Sequence, residues 1–406
     1  MSAAGFLEKL LDGADVEWLP LGDDNFFEIA NTARRPVKAS LRAAGNIPYY
    51  GANNIQDYVE GYTHSGEYVL IAEDGSASLE NYSIQYASGK FWANNHVHVV
   101  RGTDAVDTRF LFHCLTTTNF LPFLSSKGRA KLTKGNLVQI TVPIPCPNDP
   151  EKSLAIQAKI VRILDSFTAL TAELTAELTA RKTQYNHYRN QLLSFEGGEV
   201  EWKTLGEVTL KSYSGATPKA GSAKYYEGGT IPWLRTQEVV FSDIYEVAEN
   251  ITPLALKETA AKWVPVNCVI VAISGATAGR SAINKIPTTT NQHCCCLEID
   301  PKQALYRYVF HWVSMNYEKI KGMGQGARGD LNSAIIKDFE IPIPFPHAPE
   351  KSLAEQARIV DILDKFSTLT TSLTEGLPRE IELRGKQYAW YRDLLLSFPK
   401  PDEMAA

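Results

Sequence analysis

The chain has 406 residues, 44% of them apolar, and a formal net charge of -5. This length predicts two or three domains, and this apolar content is typical of globular proteins. No apolar run approaches the ~20 residues that a membrane-spanning helix needs, and the acidic N-terminal stretch lacks a signal-peptide pattern. We therefore expect a cytoplasmic protein that does not associate with membranes.

Two stretches, residues 1–150 and 196–349, predict globular parts. The motif VEW…LG opens both, at residues 16–22 and 200–206, and an IPY or IPW motif follows at 47–49 and 231–233. Each part ends in a run of strand type, QITVPIP or DFEIPIP. Both therefore favour similar mixed α/β domains with many short strands, whose framework is shared while the surface between the shared motifs has diverged.

Neither globular part is basic overall. Residues 1–150 carry 12 basic and 16 acidic groups, and residues 196–349 carry 15 and 16. Nucleic-acid binding would therefore have to use local patches, with a partner neutralising further phosphates. None of the six cysteines forms a C-x-x-C pair, so we expect free thiols and no metal site.

A long helix is predicted over residues 151–195, which contain no Gly or Pro. At ~1.5 Å per residue it would be a rod of roughly 68 Å. Asp149 and Pro150 suit the start of a helix. The predicted apolar face consists of Leu154, Ile160, Ile163, Phe167, Leu170, Leu174 and Leu178.

The start of this helix recurs near the C-terminus. Residues 143–167 match residues 342–366 at 18 of 25 positions, and the twelve residues from Gln184 match those from Gln387 at eight positions. We predict a second helical segment over 350–398, kinked or broken near residue 377 by Gly376 and Pro378, and a tail over 399–406. The N-terminal FLEKLLDGADVEW looks like the continuation of this second helix, so the repeat is circularly permuted.

The centre of the first helix contains a tandem TAEL repeat that the second helix lacks. By itself the repeat predicts a regular helix whose leucines face a partner. If the two helices run antiparallel, the chain has an approximate two-fold axis, and duplex DNA has local two-fold symmetry as well.

Together, the paired PIP…PEKSLA…ILD helices, the two VEW starts, the GATP turn at 215–218 and the TAEL repeat resemble the DNA specificity subunit of type I restriction–modification systems. The TAEL repeat most resembles the type IC subclass. The resemblance covers essentially the whole chain. It implies an α+β fold in which two target recognition domains are joined by two long helices that form an antiparallel coiled coil.

The resemblance also implies a role and partners. Each recognition domain would read one half of a split site in double-stranded DNA, and the helices would set the gap. The resemblance implies that the TAEL repeat is a spacer, with the residues Thr171, Ala172, Glu173, Leu174, Thr175, Ala176, Glu177 and Leu178. Two methyltransferase subunits would dock on this chain, and restriction subunits would join through them. No cofactor would bind here, because S-adenosylmethionine, ATP and Mg²⁺ belong to those partners.

The residues agree with a non-catalytic chain. There is no GxxxxGK[ST] phosphate loop and no N-P-P-[YF] methyltransferase motif. Residues 322–326, GMGQG, lack the third glycine of a dinucleotide loop and do not follow a clear strand. We interpret them as an ordinary loop and predict no catalytic residue.

Candidate DNA contacts are polar or basic residues in turns. In the first domain, a basic cluster runs from residue 125 to 136 and a polar turn follows the IPY motif. The candidates are Tyr49, Tyr50, Asn53, Asn54, Lys127, Arg129, Lys131 and Lys134. In the second domain they are Thr217, Lys219, Arg235, Thr236, Gln237, Ser274, Thr277, Arg280, Gln325 and Arg328. Arg can be bidentate to guanine and Gln to adenine, but a structural hydrogen bond is an equally good explanation for each.

Two further sets of residues have open interpretations. His96 and His293 lie at predicted strand starts, where a framework role is favoured over base reading. Four aromatic residues lie near the predicted helix ends, namely Tyr185, Tyr188, Trp390 and Tyr391. They would pack either in the core or against partner subunits. For the whole chain the alternative function is a structural coiled-coil adaptor without base-specific readout, which the acidic net charge favours. The missing motifs argue against a stand-alone enzyme.

Overall fold

The chain folds into two compact units, each combining one mixed α/β globular part with sections of the long helices. The structure is a computed structural model and describes residues 8–125, 130–195, 199–326, 329–371 and 376–398. The first unit comprises Met1–Glu173 and Ile381–Ala406, and the second comprises Leu174–Glu380. The C-terminal section of the chain therefore returns to the first unit, as the circularly permuted repeat predicts.

The globular part of the first unit is built on three groups of strands. Its elements are β1 (Val16–Pro20), β2 (Phe27–Ile29), β3 (Ala44–Tyr50), β4 (Ile55–Val59), β5 (His64–Ser65), β6 (Tyr68–Ala72), β7 (Ile84–Ala87), β8 (Lys90–Ala93), β9 (Val97–Gly102), α1 (Thr108–Thr116), α2 (Lys134–Leu137) and β10 (Thr141–Pro145). β1 pairs with β10, and two four-stranded sheets have the orders β2-β9-β6-β7 and β4-β3-β8-β5.

The long helix α3 (Pro150–Ser194) follows, and the second globular part repeats the plan of the first. Its elements are β11 (Val200–Thr204), β12 (Thr209–Tyr213), α4 (Ala223–Tyr226), β13 (Ile231–Leu234), β14 (Asp243–Ile244), β15 (Asn250–Ile251), α5 (Pro253–Glu258), β16 (Val269–Ala272), β17 (Ser281–Asn284), β18 (Thr289–Thr290), β19 (Cys294–Ile299), α6 (Tyr306–Met315), α7 (Tyr317–Gly322), α8 (Ser333–Asp338) and β20 (Glu340–Pro344). β11 pairs with β20, and the sheets have the orders β12-β19-β16-β17-β14 and β15-β13-β18.

The duplicated sequence motifs form the same strand pair in both units. In β1 and β10, Trp18 lies opposite Pro143, and in β11 and β20, Trp202 lies opposite Pro342. Both pairs are antiparallel and two-stranded, so the prolines, which lack an N–H donor, interrupt no wider hydrogen-bond ladder. This pair joins the start of each globular part to the strand that leads into its long helix.

The buried face of α3 differs from the single apolar stripe that the sequence predicts. Ile156, Ile160 and Leu164 pack into the first core, and the polar side chains of Ser153 and Gln157 are buried beside them. Leu154 and Ile163 are only half-buried. The predicted stripe was too narrow because α3 contacts both a globular part and a second helix, which widens its buried surface beyond one row.

The second helical segment is interrupted, as predicted. It consists of α9 (Pro349–Thr371) and α10 (Gly376–Leu395). Gly376 has a φ of +80°, and a Cβ there would lie 2.6 Å from the carbonyl oxygen of Thr368, so only glycine fits this position. Pro378 is not a breaker, because it stands in the first turn of α10, where its missing N–H costs no helical hydrogen bond.

Each unit contains a packed pair of helices. In the first unit, Phe167 of α3 stacks on Tyr391 of α10, with ring centroids 5.1 Å apart. In the second unit, Tyr188 of α3 stacks on Phe366 of α9 at 5.6 Å. The partner residue numbers fall as the α3 numbers rise, which is the order of the antiparallel pairing that the family resemblance implies.

The ends of the helices close the two cores in the same way. Leu395 and Phe398 are buried in the first core, and Leu10 and Leu11 pack against the same core. Leu193 is buried in the second core, with Phe195 packed against it. The six cysteines are free thiols, and five of them are buried, as predicted.

Candidate nucleic-acid interface

In the second unit, five stretches of the chain that carry the predicted DNA contacts converge. The Ile273 amide donates to the His293 carbonyl (2.9 Å), the Leu331 amide donates to the Ile273 carbonyl (2.8 Å), and the Asn291 amide donates to the Leu234 carbonyl (3.1 Å). We call this assembly the second loop cluster, and it comprises the described residues 214–217, 234–238, 273–280 and 290–293, together with 325–326 and 329–331.

The same three backbone hydrogen bonds exist in the first unit. The Glu73 amide donates to the His96 carbonyl (2.8 Å), the Leu132 amide to the Glu73 carbonyl (2.7 Å), and the Asn94 amide to the Tyr50 carbonyl (3.2 Å). We call residues 50–54, 73–76, 94–96 and 130–134 the first loop cluster. The two clusters therefore share a scaffold, although their side chains differ.

Two of the first-domain candidates have structural roles. Tyr49 is only 1% exposed, and its hydroxyl accepts a hydrogen bond from the Val37 amide (3.0 Å), so its prediction as a DNA contact is corrected to a core position. The Asn53 oxygen accepts from the Ala77 amide (2.8 Å) and from the Ser83 hydroxyl (2.6 Å), so this side chain braces the loop after β6. The sequence pattern alone could not separate such supporting side chains from exposed ones.

Three other candidates of this domain keep some exposure. Tyr50 is half-buried, with an edge-on contact to Phe91. Asn54 is exposed at the tip of the β3–β4 hairpin, and Lys134 is exposed at the start of α2. Lys127 and Arg129 lie outside the described residues.

Lys131 is joined to an ion-pair network centred on Glu73. Glu73 lies 2.9 Å from the Lys131 ammonium and 2.7 Å from the Arg34 guanidinium. Partial burial by itself would raise the pKa of Glu73, but hydrogen bonds from Arg34 and Lys131 lower it overall. The hydrogen bond to Glu73 raises the pKa of Lys131. This cation is therefore partly neutralised within the protein before any phosphate approaches.

In the second domain, several candidates hold one another in place. The Thr217 hydroxyl donates to Gln292 Oε1 (2.6 Å). The Arg235 guanidinium lies 2.7 Å from Glu249, and the Gln237 amide, with its oxygen turned towards Arg235, accepts from that guanidinium at 3.0 Å. Arg235 and Gln237 thus form a preorganised polar pair at the surface.

The remaining second-domain candidates that the structure describes lie in the second loop cluster, apart from Lys219, which follows its first stretch. Arg280 is half-exposed and forms no ion pair among the described residues. Thr236, Ser274 and Thr277 are half-buried, and Lys219 and Gln325 are exposed. Arg328 lies outside the described residues.

A polar network that anchors the long helix was missed by the sequence reasoning. In the first unit, Asp165 of α3 accepts hydrogen bonds from Arg109 Nε (3.0 Å) and His113 Nε2 (2.8 Å) of α1. Gln157 Oε1 accepts from the Asp107 amide (2.8 Å), and its Nε2 donates to the Ala105 carbonyl (3.2 Å). These bonds satisfy buried polar groups where the helix leaves its globular part.

The second unit repeats this network. Asp364 of α9 accepts from Arg307 (2.8 Å) and His311 Nε2 (2.7 Å) of α6, and Gln356 accepts from the Leu305 amide (2.9 Å). Burial lowers the pKa of His311 despite the neighbouring carboxylate, so this contact is a hydrogen bond from a neutral ring. The signal in the sequence was the pair RFLFH and RYVFH at residues 109–113 and 307–311.

The TAEL repeat lies in the continuous helix α3, and the boundary between the two compact units falls between Glu173 and Leu174, inside the repeat. Leu174 and Leu178 are half-buried, while Ala172, Thr175 and Ala176 are exposed. The repeat is therefore regular helix at the point where one unit gives way to the other.

Among the described residues, the chain offers neither a metal site nor a membrane-spanning helix. No cluster of three or more His, Cys, Asp or Glu side chains there is placed to hold a metal ion. No helix in these parts of the chain combines the length and the apolar character that spanning a membrane requires.

The chain matches a known protein family across most of its length. Residues 15–181 and 198–383 match the family described as "Type I restriction modification DNA specificity domain". The fold is similar to that of the type I restriction–modification S subunit from M. genitalium, with a TM-score of 0.63 at 13% identity, covering 96% of this chain and 97% of the other. A second similar structure, described as showing complex assembly and conformational transition of the type I R-M system, has a TM-score of 0.55 at 14% identity and covers 94% of this chain and 96% of the other.

Two relatives are similar over nearly their full length. A putative type I restriction enzyme specificity subunit of Haemophilus influenzae is 45% identical over 407 residues, which cover 97% of this chain and 98% of the relative. The specificity subunit of the type I restriction enzyme EcoR124I/EcoR124II of Escherichia coli is 39% identical over 427 residues, which cover 100% of both. The chain therefore belongs to the family of type I restriction–modification DNA specificity subunits, which are the non-catalytic subunits of these complexes.

Proposed function

We propose that the chain recognises a bipartite site in duplex DNA, with one half-site read by each globular part. The observation that carries the proposal is the duplication of the loop cluster. The same backbone hydrogen bonds hold both clusters, while the side chains that they present differ. A repeated scaffold with a changed surface suits two half-sites of different sequence.

The helices would set the distance between the half-sites. The TAEL repeat, residues 171–178, is the part of α3 whose length can change without altering either anchor network. Its presence is also the basis for the type IC assignment, which stays a prediction.

Docking of two methyltransferase subunits, with restriction subunits joining through them, is the second part of the proposal. Tyr188 is 37% exposed and Trp390 is 54% exposed on the long helices. Exposed aromatic side chains of this kind are frequent anchors of protein interfaces. By contrast, Tyr185 and Tyr391 pack within their units. S-adenosylmethionine, ATP and Mg²⁺ would bind to the partners, and the complex would act on DNA in the cytoplasm.

The proposal is tested with the chain in complex with its modification subunits. Sequencing of methylated sites in a host that carries the complex should give two short specific sequences separated by a fixed unspecified gap. Footprinting on one such duplex should show two protected patches. Methylation without sequence preference, or one uninterrupted specific sequence, would contradict the proposal.

The adaptor alternative makes a different prediction for charge reversal. Lys131→Glu and Arg328→Glu should weaken DNA binding by the complex if the loop clusters contact phosphates. If the globular parts bind only protein, both variants should bind DNA like the wild type. Lys386→Glu, on the exposed surface of α10, is a matched control for the change in net charge.

A further inference from the structure

His96 and His293 occupy the same position in the two loop clusters. The His96 amide donates to Asn94 Oδ1 (2.8 Å), and the His293 amide donates to Asn291 Oδ1 (3.0 Å). The next residue along the chain begins a strand in both cases, with Val97 opposite Ala72 and Cys294 opposite Ala272. These hydrogen bonds from the backbone amides explain why an asparagine stands two residues before each histidine. They do not involve either imidazole ring.

The residues around these histidines have diverged. Glu73 and Asp74 of the first cluster correspond to Ile273 and Ser274 of the second, because Ala72 and Ala272 precede them in equivalent strands. The histidine is retained amid this divergence. The His96 side chain is 43% exposed, and His293 is half-buried. In each ring, one nitrogen has a partner and the other has none among the described residues.

At His96, the partner determines the polarity of the open nitrogen. Nδ1 lies 2.7 Å from Asp74 Oδ1. An ionised carboxylate can only accept, so Nδ1 carries the hydrogen. In the neutral ring, Nε2 is then an acceptor, and it is the nitrogen without a partner.

At His293, a chain of two hydrogen bonds gives the opposite result. The Thr217 hydroxyl donates to Gln292 Oε1 (2.6 Å), which leaves the Gln292 amide nitrogen facing His293 Nε2 at 3.1 Å. Because that amide nitrogen can only donate, His293 Nε2 accepts and the ring hydrogen resides on Nδ1. The open nitrogen of His293 is therefore a donor.

We propose that His96 and His293 are equivalent base-reading residues of opposite hydrogen-bond polarity. His96 Nε2 would accept from an exocyclic amino group, which is adenine N6 or cytosine N4 in the major groove. His293 Nδ1 would donate to guanine N7 or O6, or to thymine O4. Thr217 and Gln292 would be positioning residues that fix the polarity at His293. This inference rests on the proposed function and revises the framework role that the sequence favours.

The experiment uses the complex with modification subunits and duplexes that carry its mapped methylation site. Base analogues remove one amino group or one acceptor at a time, such as purine for adenine or 7-deazaguanine for guanine. The wild type should lose about 5- to 150-fold in affinity at each contacted group, the range expected when a buried donor or acceptor loses its hydrogen-bond partner. His96→Ala should become insensitive to the loss of one amino group in one half-site. His293→Ala should become insensitive to the loss of one acceptor in the other half-site.

Gln292→Glu tests the polarity itself. A carboxylate at position 292 would accept from His293 Nε2, which moves the ring hydrogen and turns Nδ1 into an acceptor. The preferred base at the contacted position should therefore change from one that offers an acceptor to one that offers an amino group. A residue that only supports the fold would not produce this exchange.

The controls separate the possible failures. His347→Ala, at an exposed histidine before α9, should keep every preference of the wild type. Correct reading of the unaffected half-site shows that each histidine variant is folded. If the wild type reads a bipartite site while both alanine variants keep all analogue sensitivities, the inference is wrong and the proposed function stands. If the wild type itself shows no sequence preference, the proposed function fails as well.

Discussion

The two units are alike in their framework and different in the surface that their loops present. Both use the same strand pair, the same anchor network and the same loop-to-loop hydrogen bonds. Within the loops, Glu73 of the first unit corresponds to Ile273 of the second, and Lys131 corresponds to Asp330. The framework depends on backbone amides and a few buried polar side chains, so the loop side chains can diverge without loss of the fold.

The largest expected effect concerns the anchor networks. Asp165→Ala removes the carboxylate that accepts hydrogen bonds from Arg109 and His113. Asp364→Ala removes one carboxylate partner of Arg307, which stays paired with Asp243 at 2.9 Å. We expect Asp165→Ala to lower the free energy of unfolding by ~2–4 kcal/mol and Asp364→Ala by ~1–3 kcal/mol, because partial exposure reduces the cost of an unpaired charge. Urea unfolding of both variants measures the difference. A larger cost for Asp364→Ala would contradict the assigned partners.

The second test uses the Glu73 network, whose central position is occupied by Ile273 in the second unit. Glu73→Leu leaves the half-buried Arg34 without its carboxylate, and we expect a loss of ~1–3 kcal/mol in the free energy of unfolding. The matched change in the other unit is Ile273→Val, expected to cost ~0.5–1.5 kcal/mol. A cost below ~1 kcal/mol for Glu73→Leu in urea unfolding would show that Glu73 is not the centre of an ion-pair network.

The third test is a graded dependence of stability on pH. Burial lowers the pKa of His98, His113 and His311 in the folded protein. The unfolded chain therefore binds protons first as the pH falls below the ordinary histidine value of about 6.5. Stability from these groups is complete above that pH and declines as the pH falls towards the folded values.

Thermal unfolding between pH 8 and pH 5 measures this decline. His113→Gln and His311→Gln retain a donor towards Asp165 and Asp364 but do not titrate, so the decline should be shallower in each variant. A midpoint that stays constant or rises as the pH falls would contradict the neutral, buried state of the rings.

The smallest expected effect compares one cation from each loop cluster. Arg280 has no ion pair among the described residues, whereas Lys131 is held by Glu73. Arg280→Ala should reduce the slope of log affinity against log salt by ~1, the value expected for one lost phosphate contact. Lys131→Ala should reduce it by less, because Lys131 must first give up Glu73. A larger slope change for Lys131→Ala would reverse this comparison.

Much of the framework could be predicted from the sequence because its motifs occur twice in the chain. The matching helix starts and the VEW and PIP motifs placed the globular parts and the long helices. The interruption of the second helix followed from Gly376, because glycine readily adopts the left-handed backbone conformation found there. Pro378 was misinterpreted as a breaker because a proline inside a helix and one in its first turn look alike without the helix boundary.

The candidate site was harder to predict because a polar residue in a loop can either contact a ligand or hold the loop in place through hydrogen bonds within the protein. Tyr49 and Asn53 lie next to exposed loop residues, but their hydrogen-bond partners, Val37 and Ser83, come from other parts of the sequence. The anchor residues Arg109 and His113 were missed because their partner Asp165 lies 56 and 52 residues away. Only a comparison of α1 with α6 could have found them from the sequence.

The central claim is that the globular parts read the half-sites while α3 sets the distance between them. Deleting residues 175–178, one TAEL unit, shortens α3 by ~6 Å, and one base pair rises ~3.4 Å along a strand. Methylation-site sequencing of a host that carries the deletion variant with its modification subunits is the direct measurement. We predict the same two half-sites with a gap shorter by about one or two base pairs. New half-site sequences at an unchanged gap would contradict the account.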